Sequence, residues 1–198
     1  MALKSKIILA SSSKRRLDLL KQIGIKPDHI IEHNYDEESH FKNENDNFKN
    51  IAKLKALSVI NDKVCKNHFI IAADTVVCRA GKIYKKTNEL DKIKLYLNEL
   101  SGKKHFVYGS ICIVSPKKKI VTRLVKTEVF FKRISKEELN NNTFLRDGIL
   151  KSGGYAIQSF GVMFVKKIKG SYTNVVGLSL YDVNNMLSGL GWKKSSND

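Results

Sequence analysis

The stretch Phe69–Cys78, FIIAADTVVC, decides how the chain is read. Nine of its ten residues are apolar or small. A near-continuous run of that kind, without polar alternation, marks a strand with both faces covered. The tenth residue is Asp74. A carboxylate inside such a run is costly unless it is paired, hydrogen-bonded or holding a metal, so Asp74 is expected to point into a site. Ala72 and Ala73 leave space for something to approach the strand, and Thr75 adds a hydroxyl beside the carboxylate. The alternative is a strand-end Asp that caps the next turn.

Upstream, KIILA (Lys6–Ala10) reads as a short buried strand, and SSSKRRLDLLKQIG as a tight loop and a helix. Ser12 or Ser13 suits the N-cap, Leu17, Leu20 and Ile23 recur at helical spacing, and Gly24 stands where the helix stops. The first turn carries Lys14, Arg15 and Arg16, where the helix dipole favours Asp or Glu by about 0.3–1 kcal/mol. Positive charge there suits an anion held by free backbone N–H groups, serine hydroxyls and guanidinium forks. A tolerated basic surface turn is the competing account. GxxxxGK[ST] is absent, which excludes a P-loop. The next segment, His33–Asn47, reads as a loop and carries five of the nineteen acidic residues. Within it, Asp36 and Glu37 could supply oxygen ligands to Mg²⁺. His29, His33 and His40 lack zinc-site spacing. A helix is expected from about Asp46 to Lys63, with Ile51, Leu54 and Val59 on its buried side and Lys55 unusually close to them.

Downstream, Ala80–Lys86 reads as a turn and a brief extended piece, and Thr87 is expected to cap a helix that ends at Gly102. Two β-branched runs, HFVYGSICIVSP and KIVTRLVKTEVFFKRI, predict neighbouring antiparallel strands. Ser135 and Glu138 form a capping box for one helix, SKEELNNNTFLRD. Eight of the twelve glycines lie between Gly148 and Gly191, which predicts a glycine-flanked loop carrying Gln158, then a strand, a turn and a last helix to about Leu190.

With 198 residues and 42% hydrophobic content the chain can bury a proper core, as one large domain or two small lobes. No run approaches the length of a membrane span and no secretory leader is evident, so a cytoplasmic protein without membrane partners is expected. Three cysteines without CxxC spacing suit reduced thiols rather than a disulfide or zinc. The formal charge of +17 raises the question of nucleic acid. Lysines dominate and are scattered from Lys4 to Lys194, with no Arg-rich stripe and no repeated basic and aromatic interleaving along the chain. No specific nucleic-acid partner is expected, although anionic substrates would be drawn in.

LASSSKRRLDLL, KLKAL, IAADTVV, LSGKKH, KTEVFF, GGYAIQ and KGSYTNVVGL follow one another in the order and at roughly the spacing of the Maf-like proteins. These are nucleoside triphosphate pyrophosphatases once named for septum formation, and the resemblance spans nearly the whole chain. It implies an α/β fold, a mixed twisted central sheet flanked by helices with two lobes around a cleft, related to the inosine triphosphate pyrophosphatases. It implies a single domain over residues 1–198, of which the last residues, 193–198, read as a disordered tail from their own composition. The implied activity is hydrolysis of a nucleoside triphosphate to monophosphate and pyrophosphate with Mg²⁺ or Mn²⁺, in nucleotide-pool house-cleaning with a link to cell division. Many family members are dimers.

Residue by residue, Ser11, Ser13, Arg15 and Arg16 match the family's N-terminal signature, and Lys55 and Lys86 its two lysines. Asp74 matches the proton acceptor, and Asp36 with Glu37 the acidic pair that would join Asp74 on the metal. Ser11, Ser13, Arg16, Lys55 and Lys86 would then spread the triphosphate's charge. An isolated Asp74 carboxylate would be a liability to the strand, so Asp74→Asn is expected to leave the melting temperature similar or higher. ADTVV resembles the subgroup acting on dTTP and UTP, with Arg15, Thr75 and Gln158 near the base. The Gln158 amide can donate to one group and accept from the next on a uracil or thymine edge. Lys14, Thr87 and Ser179 replace family prolines, Ser159 replaces a glycine, and Leu54 and Leu150 stand where charge is common. A 7-methyl-GTP or inosine triphosphate pyrophosphatase, and a nucleotide-sensing regulator without turnover, are the competing functions.

Overall fold

The computed structural model describes residues 6–33, 35 and 48–194. Its centre is a mixed sheet of seven strands: β1 (Ile7–Leu9), β2 (His29–Ile30), β3 (Phe69–Arg79), β4 (Lys82–Tyr84), β5 (Lys104–Val114), β6 (Ile120–Phe131) and β7 (Val165–Lys169). The strand order is β2-β1-β3-β5-β6-β7, with β4 paired to β3. β1 runs parallel to both β2 and β3, whereas β4 is antiparallel to β3 and β7 to β6. Hydrogen-bonded β5 and β6 are joined across residues 115–119, too short a connection for a parallel crossover, so they form the expected antiparallel pair. Helices surround the sheet: α1 (Lys14–Gln22), α2 (Phe48–Val59), α3 (Leu90–Leu100), α4 (Lys136–Leu139), α5 (Asn142–Asp147), α6 (Tyr172–Val176) and α7 (Leu180–Gly189).

The chain divides into two compact units. The first comprises Met1–Asp74, Gly109–Leu124 and Gly177–Asp198. In it α2 lies on the sheet through small residues, since Ala52 and Ala56 share one buried cluster with Ile8, Ile70, Ala72 and Cys112. The room left at Ala72 is thus taken by a helix. α2 ends at Val59 rather than near Lys63, because Asp62 caps a separate turn, Lys63–Cys65, by accepting from the Val64 N–H. The start expected at Asp46 lies outside the described residues. α1 ends as its sequence predicts, with Gly24 at φ +70°. The two-residue strand β2 is exposed and carries no alternation or apolar run to announce it. Beyond Lys194 the expected tail also lies outside the described residues.

The second unit comprises Thr75–Tyr108 and Val125–Val176. Its buried residues include Ile93, Tyr96 and Leu97 of α3 and Val107, Val129 and Phe131 of β5 and β6, and His105, Phe131, Tyr155 and Phe164 form an aromatic group. Thr87 does not cap α3: the N-cap is Glu89, and Thr87 Oγ1 accepts from the Glu89 N–H. The Ser135–Glu138 capping box is present with both of its hydrogen bonds. The helix it opens stops at Leu139, because Asn141 accepts from the Thr143 and Phe144 N–H groups and starts α5. α6 also replaces part of the turn expected after β7.

Candidate active site

Asp74 is buried in β3, and Lys55 of α2 reaches it, with Nζ 2.6 Å from Oδ1. The Lys55 side chain is 0% exposed and that of Asp74 3%. Lys55 sits on the same helix face as Ile51, Ala52, Ala56 and Val59, all buried. A helix turned to bury that face must bury Lys55 too, and the ammonium is tolerable there because a carboxylate meets it. One expectation changes: Asp74 is not an isolated carboxylate, because Lys55 meets it. Asp74→Asn would leave a buried ammonium without its counter-charge, so the substitution lowers stability instead of sparing it. Of the described residues, only Lys55 bonds the Asp74 carboxylate, and it does so at Oδ1.

The chain leaving β1 passes alongside this part of β3, since Leu9 pairs with Ile71 and the Ala10 N–H donates to the Ile71 carbonyl. It continues into Ser11, which is buried, and then into α1. Ser11 Oγ accepts from the Ser13 N–H at 3.3 Å and from Arg16 Nη1 at 2.9 Å. A hydroxyl with both acceptor positions used still has its proton to donate. Arg16 is buried as well, and its Nε donates to the Gly177 carbonyl at 3.0 Å. Arg16 is therefore an inward brace that orients Ser11 and ties α1 to the segment entering α7. Gly177 permits this with φ +144°, a conformation that L side chains rarely adopt. Ser13 is the N-cap of α1, yet its side chain makes no capping hydrogen bond, and the first turn contains no acidic residue. The helix start thus presents backbone N–H groups together with Lys14 and Arg15, a setting that attracts an anion.

Thr75, Lys86 and Gln158 belong to the second unit. Thr75 is half-buried and its carbonyl accepts from Ser152 Oγ at 2.8 Å. Lys86 is exposed just beyond β4, and the carbonyl of the following Thr87 accepts from the Leu150 N–H at 2.9 Å. Gln158 is exposed between the turns Ser152–Gly154 and Phe160–Phe164. Its loop is held by Tyr155, whose hydroxyl lies 2.8 Å from His105 Nε2, and by Ser159 Oγ, which donates to Asp147 Oδ1 at 2.9 Å. Ser152 and Asp147 are site-supporting residues that the sequence did not single out. Only the glycines around Ser152 hinted that this loop approaches other backbone.

Asp36 and Glu37 lie outside the described residues. Among the described residues no three His, Cys, Asp or Glu side chains gather as a metal centre. Asp74 offers a single carboxylate with Oδ1 engaged by Lys55. Among the described residues, that donor set fits Mg²⁺ or Mn²⁺ arriving with a polyphosphate, which needs one or two carboxylates from the protein.

A family model described as Maf-like protein matches residues 6–190. The dTTP/UTP pyrophosphatase of Mesorhizobium japonicum is 39% identical over 198 residues, covering 98% of this chain and 95% of that protein. The dTTP/UTP pyrophosphatase of Caldicellulosiruptor bescii is 41% identical over 191 residues, covering 94% of this chain and 96% of that protein. Among solved structures, a nucleoside-triphosphatase/dITP/XTP pyrophosphatase from Mycobacterium abscessus aligns with TM-score 0.44 and 16% identity over 75% of this chain and 87% of that one, too distant a likeness to carry an argument.

Proposed function

This chain belongs to the Maf-like family, and we propose that it hydrolyses UTP and dTTP to the nucleoside monophosphate and pyrophosphate. The observation that carries the reading is the buried ion pair between Lys55 of α2 and Asp74 of β3, together with the uncapped, basic start of α1. The names of relatives about 40% identical over nearly the full chain support the substrate class.

In this reading the α1 N-terminus, Ser13 and Arg15 receive the polyphosphate, and the Ser11 hydroxyl donates its remaining proton to a non-bridging oxygen. Arg16 keeps Ser11 in that orientation. Lys55 holds Asp74 through Oδ1 and so presents Oδ2 to a water molecule. The water oxygen bonds to the α-phosphorus as the bond from that phosphorus to the α,β-bridging oxygen breaks, and Asp74 accepts the proton. Pyrophosphate leaves on the bridging oxygen. A divalent cation, Mg²⁺ or Mn²⁺, would be held by Asp74 and, in this proposal, by Asp36 and Glu37, and would supply neutralisation of the phosphate charge. Lys86 contributes a further cation for the polyphosphate. The Gln158 amide reads the carbonyl and N–H of the uracil or thymine edge, which cytosine inverts in part.

Steady pyrophosphate release from UTP and dTTP, abolished by a chelator and restored by Mg²⁺ or Mn²⁺, is the expected result. Binding of these nucleotides without any turnover would replace the enzyme with a nucleotide sensor.

A further inference from the structure

The second unit carries a patch that the proposed hydrolysis does not use. Along β5, His105 and Val107 point into the core, while Lys104, Phe106 and Tyr108 alternate onto the opposite face. Along β6, Thr127, Val129 and Phe131 are buried, and Lys126, Glu128 and Phe130 share the face with Phe106. Antiparallel register places Lys169 of β7 opposite Glu128 and Lys167 opposite Phe130. Phe106, Tyr108 and Phe130 are half-buried, and the four lysines are exposed. Ammonium groups lie over the rings: Lys126 Nζ is 4.1 Å from the Phe106 centroid and 5.8 Å from that of Tyr108. Lys104 Nζ is 5.2 Å from the Phe106 centroid, and Lys169 Nζ 6.0 Å from that of Phe130.

These three strand segments, residues 104–108, 125–131 and 165–169, contain five lysines against one acidic residue, Glu128. Three aromatic rings on a sheet, each with an ammonium group within 6.0 Å of its centroid, match the two demands of single-stranded nucleic acid. Bases need flat surfaces to stack on, and phosphates at neighbouring positions need cations. A second copy of this chain suits the face poorly, because a self-complementary contact would set lysines against lysines.

We propose that this face of β5, β6 and β7 binds single-stranded nucleic acid without sequence preference, its bases stacking on Phe106, Tyr108 and Phe130 and its phosphates drawing Lys104, Lys126 and Lys169 off the rings and pairing with Lys167 beside them. The residues come from three strands up to 65 positions apart (Lys104 to Lys169), so no basic and aromatic stripe is visible along the chain.

The test uses the full chain and a fluorescently labelled oligo(dT) of about 15 nucleotides, followed by anisotropy. The expected Kd is micromolar at about 50 mM salt, and log affinity falls with log salt at a slope of about −3, the value for four neutralised phosphates. Lys126→Glu with Lys169→Glu weakens binding about tenfold and flattens that slope. Phe106→Leu preserves bulk but removes the stacking ring, and weakens binding about fivefold with the slope unchanged. The same charge change at Lys92 and Lys136, away from the face, alters binding less than about twofold, and pyrophosphate release is equal in all these variants. The proposal is overturned if the control pair weakens binding as much as the face pair, which would assign it to net charge alone. No binding at low salt also overturns it. So does a dimer in sedimentation that Phe106→Leu splits, which would make the face a contact with a second copy.

Discussion

Asp74 and Lys55 are the residues on which stability and chemistry meet. With the ammonium fully buried against the carboxylate, Asp74→Asn should abolish all but about 10⁻² to 10⁻⁴ of the turnover, and should also cost about 3–5 kcal/mol in urea denaturation. Lys55→Met combined with Asp74→Asn should recover much of that stability without any activity, because neither partner is then left charged and alone. A double variant as unstable as the sum of its parts would contradict a coupled pair. His105 gives a second residue-scale test. Burial, with a lesser contribution from the Arg79 charge, holds its imidazole at about 3. The unfolded chain takes up that proton below its ordinary value near 6.5, so the stability contributed by neutral His105 is complete above that pH and is lost as pH falls toward about 3. His105→Phe should therefore flatten the stability–pH curve across this window, read as the denaturation midpoint at each pH. An unchanged slope would mean that His105 takes up its proton equally in the folded and the unfolded chain.

At the scale of elements, the serine loop with α1 and the Gln158 loop are the parts whose chemistry depends on how they are braced. Ser11→Ala removes the hydroxyl proton left after two accepted bonds and should weaken triphosphate binding about tenfold or more, the worth of a hydrogen bond to a charged group. The KM for UTP reports it. In the Gln158 loop, Ser159 takes the place of a family glycine and bonds Asp147. Ser159→Gly should loosen the loop and narrow the gap between UTP and CTP more than it lowers the best rate. Equal loss for every nucleotide would make the brace merely structural. These local features differ in how visible they were. The Ser135–Glu138 box rests on side chain to backbone bonds and the stop at Gly24 on a backbone bond to Lys21, each spanning three residues, and such bonds are written in nearby letters. Asp62 and Asn141 broke two helices by the same chemistry, but an Asp or Asn inside a helical pattern does not declare whether it will cap or be tolerated.

For the molecule as a whole, the near-continuous apolar run of β3, the helical spacing of α1 and α3 and the paired β-branched runs made the α/β sheet legible in the sequence. Partnerships across the chain were not. Lys55 with Asp74, Arg16 with Gly177, and Ser152 with the Thr75 carbonyl join residues 19, 161 and 77 positions apart. No local period encodes such a distance. The central claim is catalytic, and a panel of nucleoside triphosphates with pyrophosphate detection tests it most directly. UTP and dTTP should release pyrophosphate faster than CTP, GTP and ATP, with the monophosphate formed in equal amount. Preference for 7-methyl-GTP or ITP would contradict the pyrimidine assignment, and absence of pyrophosphate with every nucleotide would contradict the account itself.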